Sequence, residues 1–218
     1  MKVAAALIAT LTLVASTVMA GPNPVVINKR VFQTDKVPFI PHSTGLFANW
    51  VGLNIDFRYV RHVFNEVNTT HALGNGTLIS RGESHITVIL PTEYDQILHP
   101  AGVTIEELNH LATTDKNSMN RLQRADFGLE CLGRVQMVTK ADGVFQQSLQ
   151  LILKNYQDLI LFREDVFKLF VSKGGNPALF DPENFKPHIT LGYRHRDLHV
   201  EDGVYKGKNA CIRQVVAR

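Results

Sequence analysis

Two tripeptides constrain this 218-residue chain more than anything else in it: His85-Ile86-Thr87, followed by Val88, and His188-Ile189-Thr190, followed by Leu191. A strand sends alternate side chains to opposite faces, so a His and a Thr two residues apart share one face. The Ile between them and the aliphatic residue after them point the other way, into a core. Each tripeptide therefore asks for a strand that is polar on one side and buried on the other. A third match, His42-Ser43-Thr44, lies between Pro41 and Gly45, a context that predicts a turn without a role.

The flanking segments repeat in kind. A strand is expected over 46–55, an amphipathic helix over 56–67 and a strand over 77–90 that carries His85 and stops at Pro91. A second set follows: a strand over 144–153, a helix over 156–173 capped by Asn155 and stopped by Gly174-Gly175, and a strand over 185–194 that carries His188. Two such units can pack about a pseudo-twofold axis and bring both polar pairs to one cleft. Asp142-Gly143 predicts a hairpin between strands over 127–140 and 144–153. Thr104-Ile105-Glu106-Glu107 predicts a capped helix. Residues 21–45 read as an extended arm.

Two imidazoles and two hydroxyls suit the cleavage of a phosphodiester. One imidazole takes a proton from the nucleophile and the other gives one to the leaving oxygen, while the hydroxyls donate to the nonbridging oxygens. The arrangement needs no metal or other cofactor. Residue parity adds Arg81 and Glu83 beside His85, and Lys186 and Arg194 beside His188. Arg194 can clamp a phosphate and Glu83 can orient an imidazole. Tyr193 can stack on a base if the strand ends or bulges there. The chain has no H-E-x-x-H, no G-x-S-x-G and no glycine-rich phosphate loop.

The paired motifs resemble those of the 2H phosphoesterase superfamily, which includes 2′-5′ RNA ligase-like proteins and cyclic phosphodiesterases. Phe185-Lys186-Pro187-His188-Ile189-Thr190-Leu191-Gly192 is especially similar. The resemblance spans about 46–194. It implies a bilobal α+β fold of two pseudo-symmetric halves, with concave antiparallel sheets flanked by helices. It implies His85 and His188 as acid and base, in an order the sequence leaves open, and Thr87 and Thr190 as phosphate ligands. Arg194 and Tyr193 join them as candidate substrate contacts. The expected partner is a nucleotide or RNA with a cyclic phosphate or a 2′-5′ linkage, and the expected activity is hydrolysis of that bond. The alternative is a secreted module that binds a nucleotide, RNA or a host protein with little turnover.

Residues 1–20 have a basic start, an apolar stretch and a small residue at the end, and read as a cleaved signal peptide ahead of a single domain over 21–218. A secreted monomer without stable membrane association is expected. The formal net charge of +3 falls by one when Lys2 is removed, too little to argue for general nucleic-acid binding. Cys131 and Cys211, the two cysteines, can form a disulfide in an oxidising compartment. The sequons at Asn68 and Asn75 are candidate glycosylation sites on a surface loop.

Overall fold

The computed structural model describes residues 23–44, 48–73, 77–114, 121–140 and 142–218; the leader over 1–20 and the sequon residue Asn75 lie outside them. The strands are β1 (Val25–Ile27), β2 (Val51–Ile55), β3 (Ser84–Ile89), β4 (Gly128–Val138), β5 (Phe145–Lys154), β6 (His188–Arg194) and β7 (Cys211–Ala217). The α-helices are α1 (Arg61–Thr70), α2 (Pro91–Glu93), α3 (Ile105–Thr113) and α4 (Gln157–Ser172). Together they make a mixed α+β fold on one curled sheet with the order β1-β7-β4-β5-β6-β3-β2. The β1–β7 pair is parallel and the other pairs are antiparallel. Among the described residues no helix is long and apolar enough to cross a membrane.

The two expected units appear as β2-α1-β3 and β5-α4-β6, and they meet edge to edge where β3 pairs with β6. Alternation governs the junction. Ile86, Val88, Ile189 and Leu191 are buried. Both helices cover that apolar face: Phe64 of α1 lies against Gly192 of β6, where a Cβ would crowd its ring. From α4, Arg163 donates to the Val88 carbonyl at 2.8 Å. Each helix thus braces the motif strand of the other unit.

Several boundaries differ from the expectations. The arm over 21–45 contains β1, with Val25 and Ile27 fully buried, because the C-terminal strand β7 offers it a ladder. Such end-to-end pairing has no local signal. Pro91 starts α2, where its missing N–H costs nothing. Asn155 does not cap α4; it sits at φ 51°, a left-handed turn that Asn tolerates, and the cap position is Tyr156. Asn68 belongs to the last turns of α1 and not to a loop, and its side-chain oxygen accepts a hydrogen bond from the Leu78 N–H at 2.7 Å. Thr104 and Glu107 form the expected capping box.

The segment between β3 and β4 packs on α4 and on the free edge of β2. Lys173, which caps the C-terminus of α4, pairs with Glu107 at 2.6 Å. Gln123, fully buried, closes the β2 edge as a strand would: its Oε1 accepts from Asn54 N–H at 2.7 Å, and its Nε2 donates to Asn54 O at 3.1 Å. The far side of the sheet is fastened by a disulfide between Cys131 of β4 and Cys211 of β7, whose Cα atoms are 5.6 Å apart.

Candidate active site

Ile86 pairs directly with Ile189, so the two tripeptides run antiparallel side by side. That register sets Thr87 at the His188 end and His85 at the Thr190 end, all four on the face opposite the core. The two imidazoles are near enough for the charge of one to act on the other.

The histidines have different surroundings. His85 Nδ1 lies 2.7 Å from Glu83 Oε2. A carboxylate accepts, so Nδ1 carries the proton and Nε2 is turned to the cleft. Burial acts to raise the Glu83 pKa, but the hydrogen bond and charge of His85 outweigh it and hold the carboxylate below its ordinary value. The Trp50 ring lies 4.5 Å from His85, centroid to centroid, and His42 stacks on that indole at 3.6 Å, with its own ring 6.5 Å from His85. Gly52 makes room for the indole, since a Cβ there would collide with it. The residue set aside as part of a turn is thus the outer layer of the site wall. Its position depends on a chain reversal that brings His42 opposite Trp50, which a tripeptide match does not reveal.

His188 Nδ1 lies 2.9 Å from the Lys186 carbonyl, which also can only accept. Its Nε2 therefore keeps a lone pair in the neutral ring, and Lys206 Nζ stands 3.5 Å from it. Burial, joined by the Lys206 charge, pushes the His188 pKa well below the imidazole range. Lys206 and Asp197 form an almost wholly buried ion pair at 2.8 Å. Asp197 also accepts from Ser148 Oγ at 2.7 Å and from Thr190 Oγ1 at 3.2 Å, and Arg81 reaches it at 3.5 Å. Burial acts to raise the Asp197 pKa; Lys206, with the His188 ring and the Ser148 hydroxyl, reverses it and holds the group far below the carboxylate range. Thr190 thus spends its proton on Asp197, whereas Thr87 spends its hydroxyl on no other described residue.

Ser148, Asp197 and Lys206 had no motif to announce them. Ser148 belongs to an alternating polar stripe, Gln146-Ser148-Gln150, on the site face of β5, and that alternation was the available signal. Asp197 and Lys206 come from the non-periodic stretch after β6.

A bulge decides the remaining candidates. Along β5, Gln150 pairs with Thr190 but Leu149 pairs with Gly192, so β6 holds one extra residue. Parity flips beyond it. Tyr193 then pairs with Ser148 and shares the site face, with the Arg81 guanidinium 5.7 Å from its ring centroid. Arg194 does not share the face of His188, contrary to the expectation from strict alternation. It pairs with Gln147, donates to the Leu73 carbonyl at 2.7 Å and covers the Phe145 ring. Arg81 takes the position at the site that was expected of Arg194.

Residues 49–199 match the family model described as Swiss Army Knife, 2H phosphoesterase domain. The chain belongs to the 2H phosphoesterase family, and that membership supports activity of the phosphodiesterase type. No curated protein and no solved structure matches the chain.

The depressed imidazoles predict acid lability. His42, His71, His188 and His199 all have lowered pKa values, with burial the first cause in each. A depressed histidine stays neutral in the folded chain while the unfolded chain takes up a proton below about pH 6.5. Its stabilising contribution is complete above that value and declines as pH falls. The melting temperature should be lower at pH 5 than at pH 7 by about 5 °C. Differential scanning calorimetry at matched ionic strength measures this, and an equal or higher value at pH 5 contradicts the assignment.

Proposed function

We propose that this protein hydrolyses a cyclic phosphate or a 2′-5′ phosphodiester of a nucleotide or RNA end, using His85 and His188 as its acid–base pair. The observation that carries the reading is the Ile86–Ile189 pairing, which aligns two histidines and two threonines on one polar face. One imidazole removes a proton from water as it attacks phosphorus. The other protonates the ribose oxygen as its bond to phosphorus breaks. Arg81 and the Thr87 hydroxyl supply positive charge and a donor for the nonbridging oxygens.

Nucleotides fit better than simple alkyl diesters because of the adjoining space. A cavity of about 870 Å³ is lined by Lys206 and by Pro187, the residue before His188, with Tyr156, Tyr205, Lys154 and Lys186 as well as Glu130 and Glu183 in its walls; the four motif side chains are not part of its lining. Tyrosine faces can stack on a base and the lysines can meet further phosphates. We place the activity outside the cell, supported by the leader-like start of the sequence and by the disulfide, which belongs to oxidising compartments.

The test is turnover of 2′,3′-cyclic nucleotides and of 2′-5′ and 3′-5′ dinucleotides in excess EDTA, with His85→Ala/His188→Ala as control. Cleavage that persists in EDTA and disappears in the control is expected. Trp50 is the sole tryptophan in the chain, so its fluorescence reports binding in the same experiment. Binding with no cleavage of any member would replace hydrolysis with the binding-module reading.

A further inference from the structure

We propose that Lys206, locked in place by Asp197, is a positioning residue that holds His188 in the neutral, proton-accepting form and thereby makes His188 the base and His85 the acid. The inference rests on the two-histidine reading above and adds a division of labour to it.

The geometry gives three independent reasons. First, the Lys186 carbonyl fixes the His188 proton on Nδ1, so the free electron pair is on Nε2. Second, Nε2 faces an ammonium group at 3.5 Å, and a second proton on the ring would bring like charges together. Third, Lys206 cannot swing away easily. Its side chain is 2% exposed, and it is bound to a carboxylate that Ser148 and Thr190 also hold. A buried cation at this place has no use in packing alone, because an apolar residue would fill the space without desolvating a charge.

His85 has the opposite neighbour, the Glu83 carboxylate, whose charge is complementary to an imidazolium. The other charged groups around His188 are Asp197, behind Lys206, and His85 across the β3–β6 pair; Arg81 and His199 act on Lys206 and Asp197 from the surrounding loops. A bound phosphate brings negative charge between the imidazoles and offsets part of the Lys206 field. His188 is then a stronger base in the complex than in the free protein.

The experiment combines NMR titration of the His188 ring with pH profiles of kcat/KM, in the wild type, Lys206→Met, Lys206→Arg and Lys206→Met/Asp197→Asn. In the wild type His188 should stay neutral to below pH 5. In Lys206→Met its midpoint should rise by about one pH unit or more, and the acidic limb of kcat/KM should rise with it. The rise should be smaller in the double variant, where Asp197 no longer adds an uncompensated negative charge. Lys206→Arg should keep the low midpoint. The double variant also keeps the test alive if Lys206→Met fails to fold.

An unmoved His188 midpoint in folded Lys206→Met and in the folded double variant overturns the proposal. So does a midpoint that moves while the acidic limb stays fixed, because His188 would then not be the base. Failure of the underlying two-histidine reading looks different: the wild type cleaves no diester at any pH, and the NMR titration still measures the Lys206 effect.

Discussion

His188→Ala lowers kcat at pH 7 by about 10²–10⁴-fold, the usual worth of a positioned acid or base, and leaves the melting temperature within a few degrees of the wild type. The size of the kinetic effect follows from the place of the residue. Its Nε2 is the atom turned toward Lys206 and the cleft, and the other imidazole of the site, His85, has its own part in the reaction. The small effect on stability follows from its packing. The ring is half-buried at the first position of β6, and its Nδ1 is hydrogen-bonded to the Lys186 carbonyl. Steady-state kinetics with the preferred member of the nucleotide panel, together with thermal melts, measure both parts. His85→Ala should behave in the same way. Near-normal rates in both variants would refute the mechanism.

Arg163→Met should destabilise the fold by about 3–5 kcal/mol, the cost of stranding the other half of a buried ion pair. Arg163 is 1% exposed and makes bonds with every guanidinium nitrogen. Nε donates to Pro182 O at 2.8 Å; Nη1 donates to Val88 O at 2.8 Å and to Glu93 at 3.0 Å; Nη2 donates to Glu93 at 2.8 Å and to Asp181 O at 3.1 Å. Phe180 and Phe185 lie within 5 Å of its Cζ as aromatic neighbours. Methionine fills similar volume but leaves three carbonyls and a carboxylate without this donor. The melting temperature should fall by about 10 °C. Adding Glu93→Leu should recover part of the loss, since the stranded charge is then gone. A fall of under 2 °C in the single variant would show that the network contributes little. The same residue ties the end of the first motif strand to the segment that leads into the second, so activity should fall ahead of unfolding.

The readable parts of this molecule were those with local causes. Alternation in His85–Val88 and His188–Leu191 fixed which residues face solvent. Asp142-Gly143 marked the hairpin, and Thr104 with Glu107 marked the start of a helix. The unread parts depend on partners distant in sequence. β1 is three residues long and exists as a strand because β7 accepts it. Strict alternation misplaces Arg194 because a bulge is one extra residue in a pairing, and no single strand announces it. Asp197 and Lys206 enter from a non-repeating tail, where periodicity has nothing to act on. His42 shows the reverse case: its motif match meant nothing, yet its ring stacks in the site.

The bond between Cys131 and Cys211 closes a ring of covalent bonds around β5, α4 and β6, with its ends 80 positions apart in the sequence. His188, Asp197 and Lys206 lie inside that ring, and His85 lies outside it. A protease that cuts the chain once anywhere between the two cysteines therefore opens the ring without dividing the molecule. A cut in the exposed turn at Gly143 would leave two pieces joined through sulfur, with both histidines still on one covalent body. The same cut after reduction would leave the His188 half held by noncovalent contacts alone. A single bridge thus makes the molecule tolerant of nicking wherever thiols are kept oxidised.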